Sequence, residues 1–204
     1  MKDFHRTNLL FSLCGLNCGL CPMRLDHYCP GCGGGPGNQS CAIAKCSLCH
    51  GKPEYCFQCA AFPCEAYRGV EEWDSFITHK NQLKDLEKAQ CMGIEAYNAE
   101  LEAKMGILAS LLSGFQDGRR KTLFSVAVNL LELEDLQGVM ERLPGPEARE
   151  GVPLKERAAQ AVRLLQEVAD KKQIDLSLRK KPPKKREAPA ERGSRGRTEG
   201  VAGL

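Results

Sequence analysis

Ile94, Tyr97, Leu101, Met105, Leu108, Leu112 and Phe115 follow one another at steps of three or four residues. That interval lines one face of an α-helix. Gly114 and Gly118 mark where it should end. Upstream, Trp73, Phe76, Ile77, Leu83 and Leu86 predict another amphipathic helix, starting just after Val70. Downstream, "RRKTLFSVAVNLLELEDLQGVMERL" predicts a third, terminated by Pro144, Gly145 and Pro146. Its stretch Leu123–Leu131 is apolar nearly all round, which predicts a central position. Pro153 opens a fourth, with Leu154, Ala158, Ala161, Leu165 and Val168 on one face. Together these stripes predict a small antiparallel, all-α helical bundle over residues 70–174.

The first 69 residues carry no such pattern. The stretch "GCGGGPGNQSC" excludes helix or central strand and reads as loop. Large apolar residues are sparse, so a hydrophobic core of its own would not offset the chain entropy of this segment. Something else is expected to hold it, in a small irregular module built of short hairpins or knuckles.

Composition says what that is. Eleven of the twelve cysteines lie between Cys14 and Cys64, and only Cys91 lies outside. Lys2 and Arg6 precede a short apolar run, Leu9–Leu16, but no small-x-small cleavage pattern follows it. Leu13 also stands where a lipidated Cys14 would want a small residue. No stretch has the length of a membrane span, so no membrane partner is expected. The chain therefore reads as cytoplasmic, where thiols stay reduced and dense cysteines signal metal rather than disulfides.

Charge divides the chain again. Residues 1–170 carry a net charge of −4 and residues 171–204 one of +7. From residue 175 the chain reads "DLSLRKKPPKKREAPAERGSRGRTEGVAGL", which predicts a disordered basic C-terminal tail over 175–204. Such a tail can act as a weak electrostatic handle for nucleic acid or an acidic partner. It has no aromatic residue to stack on bases, which disfavours specific single-strand binding.

Four pairs have Cys-x-x-Cys spacing: Cys18/Cys21, Cys29/Cys32, Cys46/Cys49 and Cys56/Cys59. Two intervening residues let the backbone turn tightly enough to bring both sulfurs to one ion, at ~2.3 Å from zinc. Gly15, Gly19, Pro22, Pro30 and Gly33 follow ligand candidates and suit that turn. Eight paired thiols fill two four-cysteine zinc sites. Cys14, Cys41 and Cys64, with His27 or His50, supply a third or substitute in the first two. Spacing leaves open whether adjacent pairs share an ion or interleave.

An iron–sulfur cluster competes with zinc, because thiolates bind both. Cys14-x3-Cys18-x2-Cys21 has the spacing of the cluster motif in radical enzymes that cleave S-adenosylmethionine. Leu20 replaces their usual aromatic, and the helical remainder lacks their barrel, so a plain cluster on these three thiols and one more is the version retained. Cys64 begins an expected helix, and His79 is the nearest downstream base, but no Cys/His arrangement of recognisable form supports a nucleophile. No catalytic residue is expected. Cys91, between two expected helices, reads as a buried structural thiol.

"CGLNCGLCP", "CPGC", "CAIAKC" and "YCFQCAAFPCEAY", in that order over residues 12–68, resemble the bacterial and archaeal domain of unknown function 3795. "MGIEAYNAE" and "GRRKTLFSVAVNLLELEDL" look like the helical extension of its longer members. The resemblance implies a zinc-binding, cysteine-rich domain of no established activity. On matching positions its ligands are Cys14, Cys18, Cys21, Cys29, Cys32, Cys41, Cys46, Cys56, Cys59 and Cys64, with Cys49 an extra thiol outside the pattern. The expected function is thus a metal-stabilised binding or adaptor protein with an unknown protein partner. An iron–sulfur redox or electron-transfer protein and a soft-metal handling protein are the alternatives.

Overall fold

The computed structural model describes residues 1, 3–35 and 41–182. Residues 36–40 of the glycine-rich stretch and 183–204 of the basic tail lie outside them, so the loop and disorder readings made for those positions do too.

Among the described residues there are seven α-helices and no strand. They are α1 (Pro22–Leu25), α2 (Ala42–Cys49), α3 (Gln82–Met92), α4 (Ile94–Phe115), α5 (Lys121–Leu130), α6 (Leu133–Arg142) and α7 (Leu154–Lys171). Where short hairpins or knuckles were expected among the cysteines, the chain forms no hairpin among the described residues but α1, α2 and single 3-10 turns at Cys18–Leu20, Cys56–Gln58 and Glu65–Tyr67. No helix is long and apolar enough to cross a membrane among the described residues.

The longest stripe gives the central element. In α4, Tyr97, Leu101, Leu108, Leu111 and Phe115 are buried, and the helix packs against α3, α5, α6, α7 and the turn at Cys18–Leu20. α7 forms where expected, opened by Pro153, with Ala158, Ala161, Leu164, Leu165 and Ala169 buried. Every residue from Phe124 to Leu131 is buried, as the all-round apolar run requires.

Two helices differ from expectation. The one predicted from Val70 begins only at Gln82. The Asp74 carboxylate accepts the His79 backbone N–H at 2.7 Å and the Arg179 backbone N–H at 2.7 Å. A short acidic side chain that bonds nearby backbone competes with helix, and here it folds residues 70–81 into turns. Trp73 and Phe76 are consequently left exposed. The helix predicted over 119–143 is two, broken at Leu131 and Glu132. The Glu132 carboxylate is drawn to Lys84 at 3.0 Å and Lys88 at 3.1 Å on α3, and Asn81 donates to the Asn129 carbonyl at the end of α5 at 3.3 Å. The break is therefore capped from a neighbouring helix.

The cysteine segment is not without a core. Phe4, Phe11, Leu13, Leu20, Ile43, Tyr55 and Tyr67 join the same apolar cluster as the helices, and the Phe11 ring lies 4.5 Å from that of Tyr97. At the other end, Leu176 is buried, Lys80 Nζ bonds Asp175 Oδ2 at 3.0 Å, and Arg179 Nη2 bonds Asp74 Oδ1 at 2.9 Å. The first five residues of the segment expected to be disordered are therefore held on the body, through a buried carboxylate that composition alone does not reveal.

Candidate metal centre

The loop that carries Cys14, Cys18 and Cys21 is clamped by helix side chains. Gln82 Nε2 donates to the Cys14 carbonyl at 3.0 Å, and Ser125 Oγ to the Leu20 carbonyl at 2.6 Å. Asn17, between two of the cysteines, donates to Asp85 Oδ2 at 2.8 Å and accepts from Tyr97 Oη at 2.9 Å. All three helices α3, α4 and α5 thus fix this backbone.

On that loop the thiols fall into a first group. Burial pushes the Cys14 thiol up to about 12, neighbouring Cys32 and Cys41 add to this, and the Ser12 hydroxyl, 3.3 Å from its Sγ, opposes it. Burial likewise takes Cys18 to about 12, with Cys32, Cys14 and Cys21 as its thiol neighbours. Cys32 is raised by burial and lowered by the Leu13 N–H and the Arg6 guanidinium. Cys21 is raised by burial, lowered by the N–H groups of Met23 and Arg24, and raised again by Cys29 beside it.

Cys46, Cys56, Cys59 and Cys64 form a second group. They line one cavity of about 30 Å³ together with His50, Phe62 and Tyr67. Cys56 is pushed up to about 11 by burial, with Tyr67 hydrogen bonding lowering it and Cys64, Cys46 and Cys59 raising it. His50 Nδ1 lies 3.4 Å from Cys46 Sγ and 2.8 Å from the Cys46 carbonyl.

Cys14, Cys18, Cys32 and Cys41 thus neighbour one another, with Cys21 beside Cys18 and Cys29 beside Cys21, and Cys46, Cys56, Cys59 and Cys64 lie apart around their own cavity. Two Cys-x-x-Cys pairs are split by this arrangement. Cys29 and Cys32 face different partners, and Cys49 is exposed and does not line the cavity that holds Cys46. Cys91 is exposed on α3, not buried between helices, because α3 runs on to Met92 and turns that position outward. Cys64 precedes one 3-10 turn and not a helix, and His79 bonds the Val70 carbonyl and the Ser75 hydroxyl.

Among the described residues, no group of three or more His, Cys, Asp and Glu side chains is arranged to hold one ion. The donor set nevertheless suits a soft metal. Four sulfurs around one small cavity are the ligand type and number that such a metal takes. One more feature, absent from the spacing argument, is Arg6. Its side chain is 1% exposed, and its Nη2 has no hydrogen-bond partner. In the sequence it is one of two basic residues, with Lys2, before an apolar run, which reads more readily as a flank than as a buried cation.

No family model, no curated protein and no solved structure matches the chain.

Proposed function

We propose that the protein is a cysteine-rich, zinc-binding protein of the type of domain of unknown function 3795, whose metal centres are structural. The observation that supports it best is the cavity shared by Cys46, Cys56, Cys59 and Cys64. A four-thiolate zinc centre is closed and leaves no position for water or substrate, which favours a binding or adaptor role over hydrolysis. The cysteine-rich module, packed on the helical bundle, then serves as a scaffold in the cytoplasm. Trp73 and Phe76, large apolar side chains left at the surface, are its best side for a protein partner. Arg179, bonded to Asp74 between those two side chains, precedes most of the basic tail, which would add a weak contact to nucleic acid.

A second reading, an iron–sulfur redox protein, is favoured by one observation: Cys18 has both Cys14 and Cys21 as thiol neighbours. Soft-metal handling remains the third. Purification without oxygen, elemental analysis and a visible spectrum separate them. Colourless protein with about two to three zinc per chain is expected. A brown protein whose visible absorbance bleaches on reduction overturns the zinc reading in favour of a cluster. Readily exchanged metal of variable stoichiometry overturns the structural role.

A further inference from the structure

We propose that Trp73 and Phe76, held beside the root of the basic tail, form with it a binding site for single-stranded nucleic acid. This rests on the reading of the tail as a nucleic-acid contact and needs nothing from the metal.

The aromatics and the tail are joined by a contact between residues 105 positions apart. The Asp74 backbone N–H donates to the Arg179 carbonyl at 2.8 Å, and the Arg179 backbone N–H donates to Asp74 Oδ2 at 2.7 Å. The Arg179 guanidinium adds Nε to Oδ2 at 3.2 Å and Nη2 to Oδ1 at 2.9 Å. On the tail side of this joint Leu176 is buried, and Lys80 Nζ donates to the Ser177 carbonyl at 2.9 Å. On the loop side Ile77 and Thr78 are buried, and His79 donates its backbone N–H to Asp74. Between these anchors Trp73 is 39% exposed and Phe76 62% exposed. Two large aromatic side chains are thus kept in water by a loop that is pinned on both sides.

Charge decides what covers them. Arg179 is spent on Asp74, but Lys180 and Lys181 after it are exposed. The sequence then continues through Lys184, Lys185 and Arg186 without an acid. Glu71 and Glu72, which line a shallow depression with Arg179, are outnumbered by these five cations. A polyanion with flat apolar faces matches the combination: lysines and arginines neutralise its phosphates while its bases stack on the aromatic rings.

Trp73 and Phe76 are separated by at most about 11 Å of chain, the reach of about three nucleotides at ~3.4 Å each. A duplex keeps its bases stacked on one another and offers the rings nothing. The tail has no aromatic residue of its own, and the loop at its root supplies two. An acidic protein segment is the competing occupant.

Trp73 is the only tryptophan, so its emission reports the site directly. Full-length protein at low salt is titrated with a fluorescein-labelled oligothymidylate of about 12 nucleotides. Trp73 emission is expected to be quenched as the bases stack, in step with a rise in oligonucleotide anisotropy. Phe76→Ala, at an exposed position and with native circular dichroism, should bind at least about 5-fold more weakly. Replacing Lys180 and Lys181 together by Ala should flatten the slope of log affinity against log salt by about 1.4. Rising anisotropy with unchanged Trp73 emission, or equal affinity in Phe76→Ala, overturns the aromatic platform and leaves the tail contact standing. Equal affinity for a duplex overturns it as well. No binding at low salt overturns the reading of the tail itself. Oligoglutamate that quenches Trp73 as well as the oligonucleotide does overturns nucleic acid as the occupant, in favour of an acidic protein.

Discussion

Gly15 stands against the carbonyl of Gln82 so closely that a Cβ would lie 2.2 Å from that oxygen and 2.7 Å from Leu86 Cγ. Its φ of +95° is also one that side chains rarely adopt. The glycine between Cys14 and the rest of the loop is thus where the cysteine segment seats on α3. Gly15→Ala should cost about 3 kcal/mol, through strain and overpacking together. Thermal unfolding checks this: a Tm lowered by several degrees is expected, and an unchanged Tm means that the loop does not sit on α3 as described.

Asp85 makes the fold sensitive to pH. It is buried, and burial pushes its carboxyl up to about 7, against the pull of Lys104, the Asn17 amide, Lys88 and Lys84. In the unfolded chain it titrates near 3.8. Between these values the unfolded chain has given up the proton and the folded chain still holds it, so stability falls as pH rises through the window and stays low above it. Asp85→Asn keeps an oxygen to accept from Asn17 and removes the ionisation. It should stabilise the protein at pH 8 by on the order of 2–4 kcal/mol and hardly at all at pH 4. Denaturant melts at the two pH values measure the difference.

Arg179 and Asp74 give the opposite pH signature. The Asp74 side chain is fully buried and Arg179 is 31% exposed. Burial raises Asp74, but Arg179 and the backbone N–H groups of His79 and Arg179 outweigh it and hold the carboxyl at about 2. Its stabilisation is present above about pH 4 and lost as pH falls toward 2. Arg179→Ala should cost about 2 kcal/mol at neutral pH and release residues 175–179 to proteases. Trp73, the only tryptophan, sits next to Asp74 and reports the change. Its emission should move to longer wavelength in the variant and in wild type below pH 3.

How much of this was legible depended on whether an element is decided locally. α4 and α7 follow their own stripes, and their periodicity, Pro153 and flanking glycines sufficed. The turns at 70–81 are decided by Asp74 meeting a residue more than a hundred positions away, so the apolar spacing of Trp73, Phe76 and Ile77 misled. The break after Leu131 contains neither proline nor glycine, and what sets it, Glu132 on Lys84 and Lys88, lies on another helix. Sparse apolar residues before position 70 suggested a coreless segment. Phe11, Leu13 and Leu20 in fact share one apolar cluster with the helices, which counting within the segment missed. Cysteine spacing did not give the grouping of the thiols, because Cys29 and Cys32 turn to different neighbours.

The grouping has a direct test in the two halves of one Cys-x-x-Cys pair. Spacing makes Cys46 and Cys49 equivalent, whereas the structure puts Cys46 on the cavity with Cys56, Cys59 and Cys64 and leaves Cys49 exposed. Cys59→Ser should therefore lose about one zinc per chain, and Cys49→Ser none. The same logic governs thiol labelling. In metal-loaded native protein Cys49 and Cys91 should react rapidly with a maleimide, both being exposed and outside the groups. Cys41 is exposed too, but lies with Cys14 and Cys32, so it should be protected until the metal is removed. Mass spectrometry of labelled peptides reads all three at once. Protection of Cys49, or zinc loss on replacing it, would restore the sequence pair as the true ligand unit and dissolve the second group.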